Sequence, residues 1–175
     1  WYVFYHRATH NSNMMRKACV EPIFFNSDGS IPEVEMTSQG AGASLKATEK
    51  IEAEHACLLF GNTCIQAFEK GEEELGEICN NDNVVYKYIN FGEGVERFKI
   101  RLLPGLKGGT IKLCTDQPWH STIGIINVPA GSKEKQWITL ECNIKKTDGI
   151  HALWLKFQGE DSNLFDIDWF QFFSK

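Results

Sequence analysis

From residue 51 onward, apolar and polar positions alternate in short runs, and no stretch sustains the spacing of a helix. Ile51–Phe60, Asn83–Ile89, Glu96–Leu103, Thr110–Thr115, Ser121–Val128, Gln136–Asn143, His151–Phe157 and Ile167–Phe173 each read as a strand. Turn-forming breaks separate them, among them Phe91-Gly92-Glu93-Gly94, Pro104-Gly105, Pro129-Ala130-Gly131 and Asp148-Gly149. Short strands at such regular intervals predict an all-β fold, an antiparallel β-sandwich of jelly-roll type.

The preceding residues follow another pattern. Residues 1–7 carry aromatic side chains on both strand faces, which predicts a strand covered on both sides. Ala18–Phe25 and Pro32–Thr37 flank the turn-forming Asn26-Ser27-Asp28-Gly29 and read as a hairpin. Small and polar residues then run from Ser38 to Ser44. The expected division is an N-terminal unit over residues 1–43, a linker over 44–50 and a sandwich over 51–175. An aromatic strand at the first residue is expected of a piece cut from something longer.

In a strand, Glu52 and Glu54 of Ile51-Glu52-Ala53-Glu54 share one face while Ile51 and Ala53 turn to the core. Two adjacent carboxylates repel unless a cation lies between them, and Ca²⁺ takes such oxygen ligands readily. Asp168, in Asp166-Ile167-Asp168-Trp169-Phe170, completes the set if the last strand lies beside the first. A structural Ca²⁺ on Glu52, Glu54 and Asp168 is therefore expected.

At 175 residues the chain suits one domain, or one domain with a fragment. A net charge of -5 argues against a nucleic-acid partner, and no apolar stretch is long enough to cross a bilayer as a helix. The acidic run from Glu69 to Glu74 reads as a solvated turn. The six cysteines fit no zinc spacing and read as small buried hydrophobes, with disulfides left open. Trp137, Trp154 and Trp169 lie inside strand patterns and read as core.

Several of these motifs occur together in a known family. They are Ile51-Glu52-Ala53-Glu54, Tyr86-Lys87-Tyr88-Ile89-Asn90-Phe91-Gly92, Asn127-Val128-Pro129, Trp137, Asp148-Gly149-Ile150-His151-Ala152-Leu153-Trp154 and Asp166-Ile167-Asp168-Trp169-Phe170. With them, residues 51–173 resemble a family 6 carbohydrate-binding module, a jelly-roll sandwich in which the Glu-x-Glu pair and the final Asp hold a structural Ca²⁺. Trp1-Tyr2-Val3-Phe4-Tyr5-His6-Arg7, Arg16-Lys17-Ala18-Cys19-Val20-Glu21-Pro22 and Val34-Glu35-Met36-Thr37 resemble the end of a glycoside hydrolase family 43 propeller. The resemblance implies a non-catalytic sugar-binding module attached to an arabinofuranosidase or xylosidase. The paired carboxylates of such an inverting hydrolase belong to earlier blades. Glu21 and Glu35 accordingly read as surface strand residues, and His6 and Arg7 as packing or exposed ones.

Sugar modules stack a pyranose face on an aromatic ring and hydrogen-bond its hydroxyls at the rim. By the family pattern, the two ring positions of the usual cleft fall on Glu77 and Glu134, and its Asn on Asp166. That cleft is expected to be degenerate. The family's second site, on a sheet face, often uses a Trp where Asn83 stands here. Trp119 follows Pro118 in a loop and is either an exposed sugar platform or a ring folded onto the sandwich end. Expected partners are a xylan-type oligo- or polysaccharide and the parent catalytic domain, with dimerisation through exposed N-terminal strands possible. The parent family implies an extracytoplasmic location, secreted or periplasmic. The competing reading is a structural sandwich that packs on the hydrolase without binding sugar.

Overall fold

The computed structural model describes every residue but Asn11 and Asp161, and only the backbone of Asn13 and Lys70. At the N-terminus β1 (Tyr2–Thr9) and β2 (Ser12–Pro22) pair antiparallel, Tyr2 opposite Pro22 and Ala8 opposite Arg16. The expected partner of residues 18–25 was 32–37, so the hairpin is corrected. The Asn26–Ser30 turn does form, its ends joined by a 2.8 Å hydrogen bond from Asn26 N–H to the Ser30 carbonyl. Beyond it Pro32 lacks a donor and the segment to Thr37 runs without a ladder, while β1 offers a matching strand across a shorter loop. Nor is β1 covered on both sides: Val3, Tyr5 and Arg7 are half-buried, but Tyr2 and Phe4 are 56% and 78% exposed.

The sandwich begins with the short β3 (Leu45–Lys46), β4 (Ile51–Glu52), β5 (Leu58–Phe60), β6 (Cys64–Ala67) and β7 (Glu73–Gly76). The long strands follow: β8 (Asn83–Asn90), β9 (Val95–Pro104), β10 (Gly109–Thr115), β11 (Thr122–Val128), β12 (Ile138–Thr147), β13 (Ile150–Gln158) and β14 (Phe165–Phe173). One sheet runs β11-β10-β13-β8-β3 with β5 also on β8; the other runs β12-β9-β14-β7-β6 with β4 also on β14. All pairs are antiparallel except β3 with β8, which confirms the expected all-β sandwich.

Two stretches depart from the strand pattern. The run from Ile51 to Phe60 breaks at a single 3-10 turn over Ala53–His55. The acidic run is no solvated turn: after a 3-10 turn over Glu69–Gly71, Glu73 and Glu74 enter β7, and Glu74 is 5% exposed.

Between the sheets Tyr86, Phe98, Phe157, Phe165, Phe170 and Phe172 are fully buried. Tyr86 meets Phe170 edge-on at 4.8 Å, and Phe98 lies 4.9 Å from Phe172. Each such ring contributes roughly 1.5–3 kcal/mol on leaving water. The tryptophans are not among them. On β13, Leu153 and Leu155 point inward, so alternation turns Trp154 to the outer face. Trp169 is likewise half-buried outside Phe170, and Trp137 precedes β12 with Phe68 packed edge-on at 5.1 Å.

Candidate functional site

The outer face of the β8-containing sheet carries a ring platform. β5 and β13 flank β8, with Phe60 opposite Asn83 and Trp154 opposite Val85. Phe60 and Trp154 therefore approach from opposite sides of β8 and stack over it, nearly parallel at 11° with centroids 5.8 Å apart. Phe60 is 44% exposed, and the indole N–H of Trp154 donates to the Asp116 carbonyl at 3.1 Å. In the neighbouring loop Trp119 is 80% exposed, so its ring is not folded onto the sandwich end. Lys156 anchors that loop by donating to the Pro118 carbonyl at 2.8 Å.

Of the sequence candidates, Asn83 and Trp119 belong to this face. Glu77, Asp166 and Glu134 belong elsewhere. Glu77 is exposed at the end of β7 with φ +56°, and Glu134 is exposed in the loop before β12. Burial pushes the Asp166 carboxyl up to about 6, and Glu77 adds to the rise while Asn163 and Lys135 oppose it. These interactions bring Glu77, Asp166 and the Glu134–Lys135 loop to one place. Trp137 lies further along that loop, but Arg101 covers its face at 4.8 Å.

Asp166 also departs from expectation in its strand. The last strand was expected over Ile167–Phe173, yet β14 starts at Phe165 and so includes Asp166. A register irregularity follows between Ile167 and Trp169. Burial pushes the Glu74 carboxyl up, and both Asp166 and Asp168 lie close enough to add to the rise.

Glu52, Glu54 and Asp168 line one pocket of about 200 Å³ with Lys50, Glu72 and Glu73. Pairing of β4 with β14 sets Glu52 opposite Trp169, next to Asp168. Glu54 reaches the pocket from the 3-10 turn and not by strand alternation. Burial pushes its carboxyl up to about 7, with Glu52 and Glu73 adding and Lys17 opposing. One Glu54 oxygen is buried without a partner. Asp168 accepts a hydrogen bond from Arg101, and Lys50 lies 3.0 Å from Glu52. Among the described residues no three carboxyl, imidazole or thiol groups are gathered closely enough to hold an ion in these side-chain positions. The donors therefore suit a hard cation by chemistry and by shared pocket, while Arg101 and Lys50 supply the positive charge.

The N-terminal residues hold the hairpin on the sandwich. Arg7 donates to the carbonyls of Ala56 at 2.7 Å, Cys57 at 3.1 Å and Glu54 at 3.2 Å. Glu21 is not a surface residue: it is 2% exposed and accepts from Tyr5, from the Thr37 hydroxyl and from the Thr37 N–H. Glu35 is exposed and accepts from Lys87 and from the Tyr88 hydroxyl, each at 2.7 Å. All six cysteines are free. Sequence reasoning missed the Phe60–Trp154 pair; the Leu153-Trp154-Leu155 alternation held the signal that Trp154 faces outward.

Comparisons with known proteins agree with this architecture. The family model described as carbohydrate binding module (family 6) matches residues 52–174. A xylosidase/arabinosidase from Thermoclostridium stercorarium is 33% identical over 93% of this chain, which spans only 38% of that protein. A family 6 module from Clostridium cellulolyticum, solved in complex with xylose, shows 30% identity and a TM-score of 0.67, covering 73% of this chain and 98% of its own. A family 43 arabinoxylan arabinofuranohydrolase from Bacillus subtilis, solved with cellotetraose, has a TM-score of 0.74 at 26% identity. It covers all of this chain, N-terminal hairpin included, with 39% of its own length.

Proposed function

This chain belongs to family 6 of the carbohydrate-binding modules, and we propose that it holds an attached glycoside hydrolase on xylan-type polysaccharide through the ring-bearing sheet face. The carrying observation is the near-parallel Phe60–Trp154 pair beside an 80% exposed Trp119, in contrast to the carboxylates at the Glu77–Asp166 position. The apolar C–H faces of a pyranose suit such rings, each contact contributing on the order of 1 kcal/mol. The similarity to a module that takes xylose and to a xylosidase/arabinosidase supports the choice of polymer. Affinity electrophoresis on arabinoxylan is expected to show retardation that F60A weakens about fivefold. Absence of retardation, together with unmoved amide shifts under millimolar xylo-oligosaccharide, would leave the purely structural role.

The chain itself serves binding, and hydrolysis belongs to the portion of the parent outside it. Residues 1–43 are the last strands of that catalytic domain, which buries the exposed face of the hairpin around Tyr2 and Phe4. In the isolated chain a second copy covers the same face, and sedimentation velocity is expected to show a dimer. The polysaccharide substrate implies an extracytoplasmic setting; among the described residues no helix is long and apolar enough to cross a membrane.

Glu52, Glu54 and Asp168 are the proposed ligands of a structural Ca²⁺, which would bind them in place of Lys50 and Arg101. The unpartnered Glu54 oxygen supports this. Saturating Ca²⁺ at about 100 times its Kd adds roughly 2.7 kcal/mol, a rise in Tm of about 5–10 °C. E54Q should abolish that rise and change little in EDTA. Equal loss in both buffers would count against the ion.

A further inference from the structure

We infer that the ring-bearing sheet face selects polysaccharide bearing carboxylate side groups, that is, uronic-acid substituents on the neutral main chain. The inference rests on that face being the sugar-binding surface and adds the charge of the ligand.

Lys112 on β10 and Lys156 on β13 are direct cross-strand partners. Like charges in this relation destabilise a sheet. The row continues to Asn83 of β8 beyond Lys156 and to Ile125 of β11 beyond Lys112. Among the described residues neither lysine has an ion-pair partner, whereas Lys87 on the same sheet is 2.7 Å from Glu35. On the opposite sheet Lys99 is likewise paired, with Glu141 at 2.6 Å. Asp116, in the nearby loop, is engaged by His151 at 2.9 Å.

Both lysines are half-buried in the sheet face, unlike cations that wave from loops. Lys156 spends one amine proton on the Pro118 carbonyl and keeps two. Phe60 lies opposite Asn83, so the rings and the amines share neighbouring positions on one face. Adjacent strands are about 4.8 Å apart, which sets the two amines within the span of a short stretch of sugar chain. A neutral glycan would use the rings and leave both charges uncompensated. A carboxylate substituent supplies the missing counter-charge through charge-assisted hydrogen bonds. The net charge of the chain is -5, so this local cationic pair opposes the overall field.

The test titrates the full chain calorimetrically with a xylo-oligosaccharide carrying one glucuronic acid and with the same compound after reduction of its carboxyl to an alcohol. At low salt the acid is expected to bind roughly three- to tenfold more tightly, and about 0.5 M NaCl should erase the difference. K112Q should remove the preference without weakening the reduced compound, because the Lys112 side chain makes no hydrogen bond or ion pair among the described residues. Equal affinities, or a preference that survives K112Q, would overturn the inference while leaving the sugar-binding reading intact. Binding of neither compound would overturn both. F60A reports separately on the platform: both affinities should fall together, and unchanged affinities would sink the ring reading alone.

Discussion

In the sandwich, Tyr86, Phe98, Phe170 and Phe172 lie fully buried between two sheets, whereas the β1–β2 hairpin shows Phe4 at 78% and Met14 at 89% exposure. The hairpin is fastened mainly by polar groups. Arg7 reaches three carbonyls, Lys17 lies 2.6 Å from Glu73, and His10 lies 3.1 Å from the same carboxylate. The following strap adds Glu35 with Lys87 and Tyr88. Apolar burial is insensitive to acid, but polar fastenings weaken when one partner changes charge. The two regions should therefore respond to different perturbations.

The largest effect is expected in the sandwich. F170A removes a ring in contact with Tyr86, Phe98 and Phe172 and should cost about 3–5 kcal/mol in urea unfolding. A loss below about 1 kcal/mol would mean that the two sheets do not share this core.

R7M sharpens the contrast. Three carbonyls lose their donor, at about 1 kcal/mol each before relaxation. Amides of β1 and β2 should exchange roughly 30-fold faster or more, while those of β9 and β14 hold their protection. Equal acceleration in all four strands would make hairpin and sandwich one cooperative unit.

Acid gives the smallest and most reversible change. Burial pushes the Glu35 carboxyl up, but its bonds from Lys87 and Tyr88 outweigh this and hold it below the ordinary range. For Glu73, burial again pushes up, and Lys17 and His10 outweigh it. A carboxyl with a lowered folded pKa stabilises the fold above its unfolded value, 4.5 here, and loses that contribution as pH falls through the lower folded value. Hairpin amides should lose protection below about pH 4.5 before the sandwich does. Loss of protection in both regions at one pH would break the distinction.

The candidate site was partly legible. Glu52, Glu54 and Asp168 were brought to one pocket as their motifs suggested, although Glu54 arrives by a 3-10 turn. Pro118 marks the loop that carries Trp119, but whether its ring stays exposed or folds onto the sandwich end was decided only by the tertiary structure. Phe60 and Trp154 were not legible as exposed, since apolar character alone assigns a ring to the core. Glu74 was hidden for the converse reason: its charge suggested solvent, yet β6 and β14 flank β7 and bury it.

What the amino-acid order determined by itself is the all-β class and the long strands from β8 to β14, because side-chain alternation follows from the backbone of a single strand. The tertiary structure decided which strand meets which and which face turns inward. It paired β1 with β2 and turned Trp154 outward between β8 and β10. Those choices depend on burial summed over strands far apart in the chain, and no local pattern carries that sum.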